Sequence, residues 1–134
     1  MKKYTQEQLI EAGYTIENAR IESVDLSMAD YGCLVLAMDL KGNGWGVTYG
    51  NYCLGKGYLG ADYDFFSGRA AGMEYLIRIM DTVGVERFQQ LKGKYVRVAT
   101  SGLGDPVKII GNIIEDKWFD ALTFFVDKEE NNNV

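Results

Sequence analysis

The sequence contains no histidine among its 134 residues. That removes the usual general base near neutral pH, the hydroxyl–imidazole and thiol–imidazole nucleophile pairs, and the commonest metal ligand. Proline is nearly absent too, with one against sixteen glycines. The backbone therefore has many points where it can turn or be approached closely, and almost none where a ring stiffens it. Basic charge is in short supply: 14 Lys and Arg stand against 19 Asp and Glu, for a net charge of −5. Binding to nucleic acid needs a basic face, so no nucleic-acid partner is expected. No apolar run approaches the ~20 residues of a membrane span, so no membrane partner is expected either. Met1-Lys2-Lys3 leads directly into polar Thr5–Glu7 without the apolar stretch of a secretory leader. Cysteine is limited to Cys33 and Cys53. They are too far apart for a CxxC knuckle and sit among apolar neighbours, so they read as two reduced thiols filling the core of a cytoplasmic protein. No metal, cofactor or catalytic residue is expected.

What is present suits a compact domain. Hydrophobic residues make up 47% of the chain and aromatics 13%, enough for one core in a chain of this length. Residues 1–127 read as a single domain and residues 128–134, rich in Glu and Asn, as a disordered polar tail. Thr5–Ala12 is expected to be a short helix, with Thr5 as its cap, Gln8 three residues on, and Gly13 as its stop. Asn18–Leu26 reads as a strand with an irregularity near Ser23, and Cys33–Leu40 as a central strand because both its faces are apolar. Lys41-Gly42-Asn43-Gly44 is a hairpin turn, and Trp45–Cys53 the returning strand. Leu54–Phe66 reads as a long loop. Ser67-Gly68 is expected to open the main helix, which buries Ala70, Met73, Ile77 and Met80 and stops at Gly84. Lys94–Thr100 and Pro106–Ile114 complete a mainly antiparallel, twisted sheet of about five strands, with one long helix packed on it. The fold class is α+β, because hairpins dominate the connections.

Several residues have both a functional and a structural reading. The stretch from Trp45 to Tyr52 alternates aromatics and glycines, so a ligand or a packed backbone can meet its bare face. Tyr49 and Asn51 are the ligand candidates there. Arg69 follows Ser67-Gly68 at a helix start, where amides and dipole favour an anion; a plain cap is the other reading. Arg97 lies mid-strand beside Tyr95 and suits a phosphate, a stacked base or a cross-strand ion pair. Asn112, amid apolar residues, can read the edge of a base or pin a turn. Trp118 can stack on a base, fill an oligomer contact or close the core. Arg78 reads as an i,i+4 partner of Glu74. Asp62 and Asp64 flank Tyr63 and read as solvated loop acids, there being no third ligand or nucleophile beside them. No phosphate-binding loop, dinucleotide fingerprint or metalloprotease motif occurs.

Five segments, taken in order, carry a resemblance. They are Ala19-Arg20-Ile21-Glu22-Ser23-Val24, the strand from Gly44-Trp45-Gly46 to Gly50-Asn51-Tyr52, Met80-Asp81-Thr82-Val83-Gly84-Val85, Leu91-Lys92-Gly93-Lys94-Tyr95-Val96-Arg97-Val98, and Ile110-Gly111-Asn112-Ile113-Ile114 through Trp118-Phe119-Asp120. In this order and spacing, roughly from Ile16 to Phe125, the chain resembles the phage and prophage Thoeris anti-defence sponge family, the first type described. The resemblance implies a protein that binds cyclic ADP-ribose isomers, the signals of bacterial TIR-domain enzymes, and holds them intact. It also implies a symmetric homo-oligomer in the host cytoplasm, and some relatives hold cyclic oligonucleotides in separate sites. In that family arginines hold the phosphates, and an aromatic with polar partners holds the adenine. Tyr49, Asn51, Arg69, Arg97, Asn112 and Trp118 are chosen on physical grounds as the ligand-binding residues. The expected function is sequestration of a small cyclic nucleotide without catalysis. The alternatives are a protein-binding inhibitor of a host defence protein and a carboxylate-based enzyme that cleaves a nucleotide.

Overall fold

A computed structural model describes residues 3–60, 62, 65–102 and 104–132 of the chain. Thr5 caps the first helix, α1 (Gln6–Glu11). Its hydroxyl accepts from the Gln8 amide, while the Gln8 side chain accepts from the Thr5 amide. This is the reciprocal box that the spacing predicts. Gly13, at φ 99°, ends the turn, and the chain enters β1 (Thr15–Asp30). β1 pairs with β2 (Cys33–Lys41), with a register shift between Ile21 and Ser23 where the irregularity is expected. The hairpin returns as β3 (Gly46–Gly57), whose far end pairs with β4 (Phe66–Gly68). Ser67-Gly68 thus belong to a strand and do not open a helix. Next comes α2 (Ala70–Val83), stopped by Gly84 in the left-handed conformation. A 3-10 turn over Phe88–Gln90 leads to β5 (Tyr95–Thr100), β6 (Ile109–Asn112) and β7 (Trp118–Asp120). α3 (Ala121–Asn132) then runs into the segment read as a polar tail, of which residues 133 and 134 lie outside the described residues.

The fold is α+β, but the sheet is larger than expected. Among the described residues it has seven strands, not about five, in the order β4-β3-β2-β1-β5-β6-β7, and every pairing is antiparallel. The described residues form three α-helices where a short one and a long one are expected: α3 is additional, and α2, with 14 residues, is not long. The added strands, β4 and β7, have three residues each. Three residues carry too little alternation to read as a strand.

The sheet buries apolar side chains on both faces. Leu36, Met38, Leu40, Val96, Val98, Ile110 and Phe119 face α2 and α3 in the main core. The opposite face of β5, β6 and β7 carries Ala99, Ile109 and Trp118, covered by Leu9 of α1. α2 turns Gly72, Tyr75, Ile79, Thr82 and Val83 inward. This corrects the expected stripe, since Met73 is 64% and Ile77 62% exposed. Gly72 supplies the reason. A Cβ there would stand 2.4 Å from the Leu54 carbonyl oxygen. Only the glycine face of the helix can approach the sheet this closely, and Tyr75 and Ile79, on the same face, follow it in.

The cysteines are also corrected. Cys33 and Cys53 form a disulfide, with Cα atoms 5.3 Å apart, and are not two free core thiols. The register of β2 against β3, which sets Val35 opposite Cys53, brings them side by side. Among the described residues no helix is long and apolar enough to cross a membrane.

Candidate ligand-binding cleft

Three of the six residues chosen from the sequence meet around the turn over residues 113–117. The Arg97 guanidinium donates from Nε to the Asn112 carbonyl at 2.7 Å. It also donates to the Glu115 carbonyl and to Gln6 Oε1, and it lies 4.7 Å from the centre of the Trp118 ring. The Asn112 amide nitrogen donates to the Thr82 and Val83 carbonyls at 3.0 and 3.3 Å, at the end of α2. Its oxygen accepts from the Ile114 and Glu115 amides at 2.9 and 2.8 Å. Trp118 packs over Gly111, where a Cβ would stand 2.4 Å from the ring. Its Nε1 donates at 2.6 Å to Asp116, which also accepts from the Gln6 amide at 2.8 Å. The three residues therefore frame the turn and tie α1 and α2 to it.

The other three stand apart. Tyr49 is sealed in the core, so its ring meets no surface ligand. The Tyr49 and Tyr75 hydroxyls lie beside each other without a hydrogen bond of normal geometry. Burial pushes both phenols above the ordinary tyrosine value. Asn51 is exposed at a bulge of β3, at φ 67°, next to Gly50 at φ 121°. A Cβ on Gly50 would stand 2.0 Å from the Leu36 carbonyl oxygen, so that bare position is filled by backbone. Arg69 precedes α2 but donates to the Cys53 carbonyl at 2.8 Å and lies 5.5 Å from the centre of the Phe125 ring. Ser67 makes no cap for that helix. Asp62 is exposed in the β3–β4 connection, and Tyr63 and Asp64 lie outside the described residues.

Of Arg97, Asn112 and Trp118, only Trp118 lines a cleft at the β7 edge of the sheet, together with Asp116, Lys117 and Phe119; Arg97 and Asn112 stand behind it. The chain entering α1 and the second half of α2 form the rest. The cleft encloses about 430 Å³, within the range of small-ligand sites. Three cations line it: Lys3, Arg78 and Lys117, with Tyr4 and Trp118 as aromatic walls. Lys117 Nζ stands 2.8 Å from Asp81. Arg78 Nε stands 2.7 Å from Glu74, the i,i+4 partner expected, and Glu74 also meets Lys128 at 2.9 Å. Lys128 and Arg78 hold the Glu74 carboxyl below its usual range. The Tyr4 hydroxyl donates to Asp120 at 3.3 Å, and burial together with the Asp120 charge raises its pKa. Such a lining can take an anionic group against its cations. Trp118 is 6% exposed, with Gly111 and the Arg97 guanidinium against its ring, so the half-buried Tyr4 is the aromatic that can meet a planar ring.

Two other hollows flank Trp45. β2 and β1 lie between β3 and β5 in the sheet, yet its twist brings the start of β3 and the β5–β6 connection to one of them. The β7-edge cleft sets three cations against Asp81 and Asp116, whereas the charged lining of these hollows is Glu22, Asp39 and Lys41 on one side and Glu17 and Asp105 on the other, acidic in balance in both. That sign of charge opposes an anionic ligand.

Reading the sequence missed Lys3, Tyr4, Asp81 and Lys117 as a group. The available signals were a lysine beside Trp118 and an acid in the last turn of a helix, where the dipole disfavours it. No family model, curated protein or solved structure matches the chain.

Proposed function

We propose that the chain binds a small anionic nucleotide in the β7-edge cleft and sequesters it unchanged. The observation that carries this reading is the convergence of Lys3, Arg78 and Lys117 on one cleft beside Trp118 and Tyr4. Cations select a phosphate, and the half-buried ring of Tyr4 favours a base over a simple anion. The absence of histidine favours holding over turnover. The resemblance narrows the ligand to a cyclic ADP-ribose isomer. It also supports an anti-defence role in the host cytoplasm, with the chain as a symmetric homo-oligomer.

The test is direct. Purified protein is incubated with a cyclic ADP-ribose isomer, passed through a desalting column, heat-denatured, and the released compound identified by mass. Intact compound in near-stoichiometric amount is the expected result. A cleaved product would make the chain an enzyme, and an empty supernatant would reject the reading for this ligand.

A second reading rests on a separate surface. Tyr58 and Phe65 stack at 5.7 Å, and with Tyr31, Leu59 and Phe66 they stand exposed near the β4 edge. Exposed apolar groups of this kind mark protein contacts. A host protein retained by the wild type and lost on Phe66→Ser would favour an inhibitor that acts by protein binding.

A further inference from the structure

The Lys117–Asp81 pair stands in the wall of the cleft, with the lysine side chain 40% and the aspartate 64% exposed. Asp81 occupies the last turn of α2. A carboxylate there opposes the helix dipole, so the helix gains nothing from it. An ion pair this exposed adds little stability of its own. A residue that breaks a local rule without a local gain points to function.

The second acid of the cleft behaves differently. Asp116 is committed to the Gln6 amide and the Trp118 indole and is part of the wall. Asp81 has Lys117 as its partner. It presents to that lysine what a phosphate would present: an oxygen anion at contact distance.

We infer that Asp81 is a built-in competitor of the ligand, an internal anion that must leave Lys117 before a phosphate takes its place. The inference rests on the reading of the cleft as an anion site. Displacement is sterically open, because the aspartate is the more exposed partner and can swing into water. A ligand that reaches Lys3 together with Lys117 gains what a single carboxylate on α2 does not supply, while Arg78 keeps Glu74 as its own partner. Asp81 thereby sets a threshold: an anion that replaces one carboxylate contact with another gains no charge pairing, whereas one that spans Lys117 and Lys3 does.

The probe is ADP-ribose, titrated calorimetrically into the full chain at low salt. Wild type, Asp81→Asn, Lys117→Ala and the double variant are compared as a cycle. Asp81→Asn is expected to bind about two- to fivefold more tightly than wild type, the worth of one exposed pair. Lys117→Ala is expected to bind more weakly. With Lys117 gone there is no internal contact to displace, so Asp81→Asn should then produce a smaller gain. Equal gains in both backgrounds would mean that Asp81 acts only through its long-range field and would overturn the competitor role. So would unchanged or weaker binding by Asp81→Asn while the wild type binds. If neither the wild type nor any variant binds ADP-ribose, the anion-site reading itself fails, and the inference falls with it. Thermal melting guards against misfolding, and Asp81→Asn should melt no lower than wild type because it relieves the clash with the helix dipole.

Discussion

Asn112 uses both ends of its amide: its nitrogen closes the carbonyls of Thr82 and Val83, and its oxygen closes the amides of Ile114 and Glu115. Removing it leaves several backbone groups without partners in a half-buried setting. Asn112→Ala is therefore expected to cost about 2–4 kcal/mol of stability, measured by urea denaturation of both proteins. A loss under about 0.5 kcal/mol, the size of an ordinary surface change, would show that the clasp does not hold the turn. The sequence left two roles open for this residue, reading a base or pinning a turn, and its contacts make it a pin. The deciding partners lie 29 and 30 residues earlier in the chain, beyond the reach of any local signal. Arg97 is similar. Its bonds run to Gln6, Asn112 and Glu115, so the guanidinium chosen as a phosphate holder is occupied by the protein itself.

At the scale of the element, α2 shows how one small residue chooses a face. Its sequence offers two stripes of the same 3,4,3 spacing, one through Ala70, Met73, Ile77 and Met80 and one through Gly72, Tyr75, Ile79 and Thr82. Gly72 settles the choice, because contact with the Leu54 backbone leaves no room for a side chain. Gly72→Ala improves intrinsic helix propensity by about 1 kcal/mol. Its methyl group nevertheless meets backbone atoms of Leu54 at 2.4 to 3.0 Å, which cannot rotate away. A net loss of about 1–3 kcal/mol is expected, read from thermal or urea melts. A gain in stability would mean that the helix does not approach the sheet this closely. Because α2 also carries Arg78 and Asp81, the same close approach sets where they stand in the cleft.

At the scale of the molecule, the core contains two phenols that water does not reach. Tyr49 and Tyr75 are sealed, and burial raises both above the usual value of 10.0. In the unfolded chain the same groups ionise as the pH passes about 10. Above that point the folded state binds more protons than the unfolded one, so its stability falls with rising pH. The contribution is whole below pH 10 and is lost as the pH climbs through the folded values. Alkaline titration is expected to show a late group of phenolates that appears together with the loss of the near-ultraviolet circular dichroism of the core. Nine tyrosines titrating at ordinary pH with the fold intact would contradict a sealed pair.

Local signals in the chain were enough for the α+β class, the capped first helix, the Lys41–Gly44 hairpin, the irregularity near Ser23 and the interior place of β2, although β1 is the middle strand. Each of these rests on signals within a few residues of one another: a cap and its box, a turn, an alternation with two apolar faces. Tertiary structure decided the rest. The Cys33–Cys53 bond depends on strand register, the buried face of α2 on the backbone it meets, and β4 and β7 on longer strands that template them. The cleft needs Lys3, Arg78 and Lys117 together, and only the packing of α1 and α2 at the β7 edge brings them there. Charge and ring contacts of that kind act through space, and local periodicity carries no record of them.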